Sequence, residues 1–202
     1  MMYTTIFEAL KDRFIKLLKE NLKSGLSYHN IDHTLDVVSQ AEKIARMEGI
    51  DDEETIFYLK VAALSHDSGF IEVYNNHEEK SVEILKAEIQ GFNIPEEKLQ
   101  LIADLIMATK MPQNPHNHLE EVLCDADLDY LGRDDFFEIS DRLRDELLGF
   151  GIVKNELGWD KIQIAFFESH KYFTKTSQHL RNEGKQQKLI MLKKRLSLYT
   201  SV

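Results

Sequence analysis

The chain has 202 residues, 43% of them hydrophobic, which suffices for one sizeable core and gives no compositional reason for a second. Its formal charge of −10 excludes the broad basic footprint that a polynucleotide or an anionic membrane would call for, while a divalent cation and a few local Lys or Arg residues can still invert the field for a small phosphorylated substrate. Cys124 is the lone cysteine, which excludes an intramolecular disulfide framework and sites built from several thiolates.

Three prolines and nine glycines against many Leu, Ile, Glu and Lys residues predict an all-α fold. Ile6, Leu10, Phe14, Leu17 and Leu18 recur at helical spacing, and Ser24-Gly25 marks an end. The same segment, Met1 to Asn21, interleaves Lys11, Asp12, Arg13, Lys16, Lys19 and Glu20 with its apolar residues, so neither a signal peptide nor a membrane span is expected there. A cytoplasmic protein is the natural expectation. Thr34, Val37, Val38, Ala41, Ile44 and Ala45 form the stripe of a second helix that runs to Gly49, with His33 near its start and His29 one turn earlier.

Asp51-Asp52-Glu53-Glu54 open a third helix that becomes almost wholly apolar through Ile56, Phe57, Leu59, Val61, Ala62, Ala63 and Leu64. This buried central helix delivers His66 and Asp67 at its C-terminal end, where Ser68-Gly69 can break it. Asn76 to Ser81 starts a helix that stops at Gly91, and Pro95 takes a first-turn position in the next. Met111 to Pro115 reads as a loop, Leu119 to Leu131 as the helix carrying Asp125 and Asp127, and further helices are expected near 134–148, 159–172 and 174–199.

The chemistry concentrates at His66-Asp67. An imidazole suits the negative end of a helix, but a carboxylate does not unless a cation is present, so Asp67 points to a metal ion. Companion ligands are available in Tyr28-His29-Asn30-Ile31-Asp32-His33-Thr34 and in Cys124-Asp125-Ala126-Asp127-Leu128-Asp129-Tyr130. A nitrogen and oxygen set suits Mn, Fe, Co, Mg, Ni or Zn and leaves positions open for water and substrate. The His29/His33 pair has the spacing of a zinc-protease helix, but Asn30 stands where that motif needs its glutamate base.

His, His-Asp and Asp in this order resemble the HD-domain superfamily of metal-dependent phosphohydrolases, an all-α fold named for its His-Asp dyad. The resemblance implies one domain over 1–202, a compact helical bundle with its motif core at 25–132 and its C-terminal helices at 134–199 as an extension. It implies His33, His66, Asp67 and Asp127 as the ligands of one divalent metal, with Asp125 the competitor for the last place. His29 looks like the leaving-group acid of some cyclic-nucleotide phosphodiesterases of the superfamily, and His77 like a residue for a second metal or for phosphate. A second metal is not favoured, because Thr109-Lys110 occupy the region where the dinuclear branch would be expected to have one of its paired histidines.

The implied activity is hydrolysis of a small phosphate ester, a nucleotide foremost, by water activated on the cation. Asp67 is expected to ligate and to accept that water's proton, His29 or His77 to neutralise or protonate the leaving oxygen, and Lys110 and Arg133 to contact phosphate. The alternatives are a di-iron oxygenase, which needs more histidines than this pattern provides, and a non-catalytic metal- or nucleotide-sensing domain. Partners beyond the small substrate are not expected to include polynucleotide or membrane, and a homo-oligomer is left open. His116, His118, His170 and His179 fall outside the motif and read as loop or surface residues, His170 with the option of bordering the pocket. Cys124 reads as a buried structural thiol and Lys193-Lys194-Arg195 as a solvated helix face.

Overall fold

The computed structural model describes residues 2–199, and among these it contains nine α-helices, two 3₁₀ turns and no strand. The protein is all-α, as its composition predicts. The helices pack as two compact units, one formed by the chain through Ser24 together with His29–Asp127, the other by Gly25–Tyr28 and the residues from Leu128 on. The boundary after Asp127 falls inside the 25–132 motif span.

In the first unit, α1 (Met2–Asn21) buries Phe7, Leu10, Phe14 and Leu18 on one stripe. Asn30 caps α2 (Ile31–Met47), its side chain accepting the N–H groups of Asp32 and His33, and Gly49 follows the helix with φ +83°. Asp52 caps α3 (Glu53–Ser65) through the N–H and hydroxyl of Thr55. Nearly every residue of α3 from Ile56 to Ser65 is buried, which makes it the axis of this unit, packed by α1, α2 and α5. A 3₁₀ turn at Ser68–Ile71 leads to α4 (His77–Glu88), then α5 (Glu96–Ala108) and α6 (His118–Asp127).

Several boundaries differ from the sequence reading, among them the expected 159–172 helix, which runs Glu156–Ser169. The third helix ends at Ser65, so His66 is its C-cap and Asp67 leaves helical geometry at φ −102°, ψ 4°. Pro95 caps α5 from an extended conformation instead of lying in its first turn. The helix that carries Asp127 stops at that residue and does not run to Leu131, because Asp129–Gly132 tighten into a 3₁₀ turn.

The second unit holds that turn with α7 (Phe136–Gly149), α8 (Glu156–Ser169) and α9 (Lys175–Tyr199). Its core gathers Tyr28, Leu131, Phe136, Phe167, Tyr172 and Leu192, with Phe136 and Phe167 edge to face at 5.1 Å. Buried carboxylates are matched by arginines: Arg181 forks onto Asp129 at 2.7 and 2.9 Å, and Arg195 holds Asp160. The 3₁₀ turn approaches α9 so closely that a Cβ on Gly184 would stand 2.1 Å from the carbonyl oxygen of Gly132. Gly184→Ala is therefore expected to cost about 1–3 kcal/mol. Gly149→Ala, where a Cβ meets nothing within 4 Å, should stay within about 1 kcal/mol of wild type. Denaturant unfolding of both variants checks this, and equal stabilities would contradict the close approach.

Candidate metal centre

Four elements of the first unit bring their ends to one point. Asn30 fixes the first turn of α2, which carries His33; the end of α3 supplies His66; the bend after it supplies Asp67; and Asp127 is the last residue of α6. Nε2 of His33 lies 3.3 Å from Oδ2 of Asp67 and 3.2 Å from Oδ1 of Asp127. Nε2 of His66 lies 3.2 Å from the same Asp67 oxygen and 3.5 Å from the same Asp127 oxygen. Two imidazole nitrogens thus face two carboxylate oxygens across a gap of ligand size.

The tautomer of His66 follows from its other nitrogen. Nδ1 is 2.8 Å from the carbonyl oxygen of Ala63, to which it donates, so in the neutral ring Nε2 carries the lone pair. That Nε2 and Oδ2 of Asp67 are buried and have no hydrogen-bond partner of suitable geometry. Buried polar atoms left this way cost free energy unless something else satisfies them, and a cation does so for both at once. Ligand atoms of His33, His66 and Asp127 all lie within 4.8 Å of one another. The residues present fit a divalent ion with nitrogen and oxygen ligands.

A surrounding layer orients these groups. The other oxygen of Asp67, Oδ1, is 3.2 Å from Nε2 of His77, the first residue of α4. His77 reaches it because the 3₁₀ turn packs hard against α4: a Cβ on Gly69 would stand 1.9 Å from the carbonyl oxygen of His77, and the Gly69 N–H donates to Ser81 Oγ at 2.8 Å. Phe70 stacks on both His29 and His77, with centroids 4.0 and 3.9 Å away, and the two histidine rings are 6.2 Å apart.

Charge in the metal-free cluster is balanced by protons. Burial pulls the pKa of His33 down, but contacts with Asp127 and Asp67 outweigh it and raise it to about 9. For His66 burial is likewise overridden by the Asp67 and Asp127 carboxylates, which hold it well above its ordinary value. Burial pushes Asp67 and Asp127 up, and the facing imidazoles overcome this and hold both well below the usual carboxylate range. Two protons on two imidazoles do what one divalent ion would do.

The sequence-predicted residues divide on this geometry. His33, His66, Asp67 and Asp127 converge, with His77 and His29 beside them, and it is the carboxylate of Asp127 that meets the imidazoles, while Asp125 is buried elsewhere on α6. Lys110 is engaged by Glu79 and by Asn76 Oδ1 at 3.1 Å. Arg133 lies in the second unit, where its guanidinium is 2.7 Å from Asp135 and 3.7 Å from Asp129. Cys124 is buried, donates its S–H to the Ala108 carbonyl at 3.2 Å, and has its pKa pushed up by burial, so it is no nucleophile. His170, also in the second unit, caps the end of α8 with its ring against Phe166 and Tyr172. Sequence reasoning missed the positioning parts: Asn30 as cap, Gly69 as close approach, Ser81 and Phe70. An Asn directly before an apolar-periodic run was a legible signal for the first.

The HD-domain family model matches residues 30–130 of this chain, a span that contains every residue of the metal cluster. The chain belongs to the HD-domain family. No curated protein matches it. The match begins one residue after His29 and ends before Arg133.

The proton balance gives the metal-free protein a distinctive pH dependence. The raised pKa of His33 contributes stability that is fully present below 6.5 and lost as pH rises through about 9. The depressed carboxylates contribute stability present above about pH 4 and lost on acidification. The Tm of the chelated chain is expected to fall between pH 6.5 and 9. With saturating Mn2+ that fall should be suppressed, because the cation displaces the same protons. A chelated chain whose Tm is flat over this range would contradict the proton-balanced cluster.

Proposed function

We propose that this HD-domain protein hydrolyses a small phosphate ester, with nucleotides the foremost class, at one divalent metal held by His33, His66, Asp67 and Asp127. The observation that carries the reading is the convergence of His33, His66 and Asp127 around the unbonded Oδ2 of Asp67, within a family of metal-dependent phosphohydrolases. When bound, the cation supplies Lewis acidity toward a phosphoryl oxygen and lowers the pKa of water near it.

The protein's own groups supply the proton traffic. Asp67 divides its two oxygens: Oδ2 faces the imidazoles, and Oδ1 faces His77. Its carboxylate can take the proton of an attacking water through Oδ1, the oxygen turned away from the imidazoles. Burial lowers the pKa of His77, and its contact with Asp67 outweighs this and raises it above the ordinary value, which favours the protonated ring. Protonated His77 is then positioned to neutralise the departing oxygen and to hand it a proton. His29, stacked on Phe70 with its ring centroid 6.2 Å from that of His77, is the second candidate for the leaving-group acid. Lys110 and Arg133, the expected phosphate contacts, each have a carboxylate partner, Glu79 and Asp135, with which a phosphate would compete.

Phosphate release from a panel of nucleotides and generic phosphate esters with Mn2+, with metal content measured on the same samples, tests the reading. Wild type is expected to turn over at least one class, and Asp67→Ala to lose both metal and activity. His77→Gln should keep the metal, lose about 10²–10⁴-fold in kcat, and lose the basic limb of the pH profile that deprotonation of His77 imposes. A metal-loaded wild type that releases no phosphate would sink the hydrolase. Two irons per chain would then point to an oxygenase, and one inert metal to a sensor.

A further inference from the structure

Asp127 is the last residue of α6, and the end of a helix is where the backbone frays, because its carbonyls lack an N–H from a following turn. A metal ligand placed there needs its chain held from the far side as well. The residues after it are held. Leu128 leaves helical geometry at φ −107°, ψ 14°, and its carbonyl oxygen accepts the N–H of Leu131 at 3.2 Å, which closes the 3₁₀ turn. The buried Tyr172 donates its hydroxyl to the same Leu128 carbonyl at 3.1 Å, with the Asp129 carbonyl 3.4 Å away. Tyr172 is fixed in turn by Gln178, whose side-chain amide donates to the carbonyls of Tyr172 and Phe173, each at 3.0 Å.

One residue further along, the side chain is gripped as well. Asp129 is 2% exposed, and Arg181 donates Nε to its Oδ1 at 2.7 Å and Nη2 to its Oδ2 at 2.9 Å. Such a planar two-bond contact sets orientation as well as distance. The other end of the turn is pinned where Gly132 meets Gly184 of α9. What joins these anchors to the ligand is the chain itself. The peptide unit between Asp127 and Leu128 is rigid, and consecutive Cα atoms stand about 3.8 Å apart, so a displacement of Leu128 is passed on to Asp127. A metal site keeps its ligand distances to within about 0.2 Å, which makes even a small displacement costly.

We propose that Tyr172 and Arg181 are positioning residues for the metal centre: by holding the two residues that follow Asp127, they fix the direction from which its carboxylate meets the ion. This rests on the reading of His33, His66, Asp67 and Asp127 as the ligands of one divalent metal.

The Mn2+ affinity of the full chain, read from the electron paramagnetic resonance of the free ion during titration, tests the proposal, with the Tm of the chelated chain measured alongside. Tyr172→Phe removes only the hydroxyl, and Arg181→Gln removes the fork. Loss of a partner that orients a ligand is expected to raise the Mn2+ Kd by about tenfold in Tyr172→Phe and about 10–100-fold in Arg181→Gln. Arg195→Gln, which breaks the corresponding fork onto the buried Asp160, is the comparison. It should lower the Tm and leave the Kd within about twofold of wild type. Tyr172→Phe keeps its ring in the core, so the test stands even where Arg181→Gln does not fold. A wild type that takes up no Mn2+ would overturn the metal centre and this inference with it. A wild type that binds Mn2+ no more tightly than Tyr172→Phe and Arg181→Gln, or an equal loss in Arg195→Gln, would overturn the positioning role alone.

Discussion

Two carboxylates are held beside two imidazoles in a place from which water is largely excluded, and the first unit is arranged around keeping them there. Such a cluster is tolerable only when its charge is neutralised. A divalent cation achieves this and satisfies Oδ2 of Asp67 and Nε2 of His66 at once. The same constraint accounts for why each ligand sits where a helix begins or ends. Chain ends and bends aim these short side chains at a common point.

The apolar α3 makes that possible. With nearly every residue from Ile56 through Ser65 buried, its C-terminus is carried into the interior, and the negative end of the helix, whose carbonyls take donors from Ser65, His66 and Ser68, favours positive charge. Asp67 follows immediately and reverses the sign, which concentrates the demand for a cation at one residue. Gly69 and Ser81 then lock the following turn against α4, so that Asp67 is shared between the ligand cluster and His77. In the proposed reaction this carboxylate links metal holding to proton transfer, and replacing it would remove both at once.

Much of this was legible from residues alone. The helical periods of α1, α2 and α3 follow from their apolar stripes, and His66-Asp67 stands out because a carboxylate at a helix end conflicts with the dipole. The choice of Asp127 over Asp125 needed the family resemblance, since adjacent acidic positions on a short helix look alike until packing decides which one faces inward. Other features were out of reach for a physical reason. The close approach of Gly132 to Gly184 of α9, more than fifty positions away, is encoded by no local propensity. The pairing of Lys110 with Glu79 likewise arises only when separate segments meet. Local rules read the elements, and tertiary contacts read the site.

The central claim is that one divalent ion is held by these four side chains. The most direct measurement is anomalous diffraction from crystals of the Mn-loaded protein, recorded on either side of the manganese edge. The account requires a single strong anomalous peak within about 2.3 Å of Nε2 of His33, Nε2 of His66, Oδ2 of Asp67 and Oδ1 of Asp127. A fully loaded crystal with its peak elsewhere, or with any of these four atoms turned away from the ion, would contradict it.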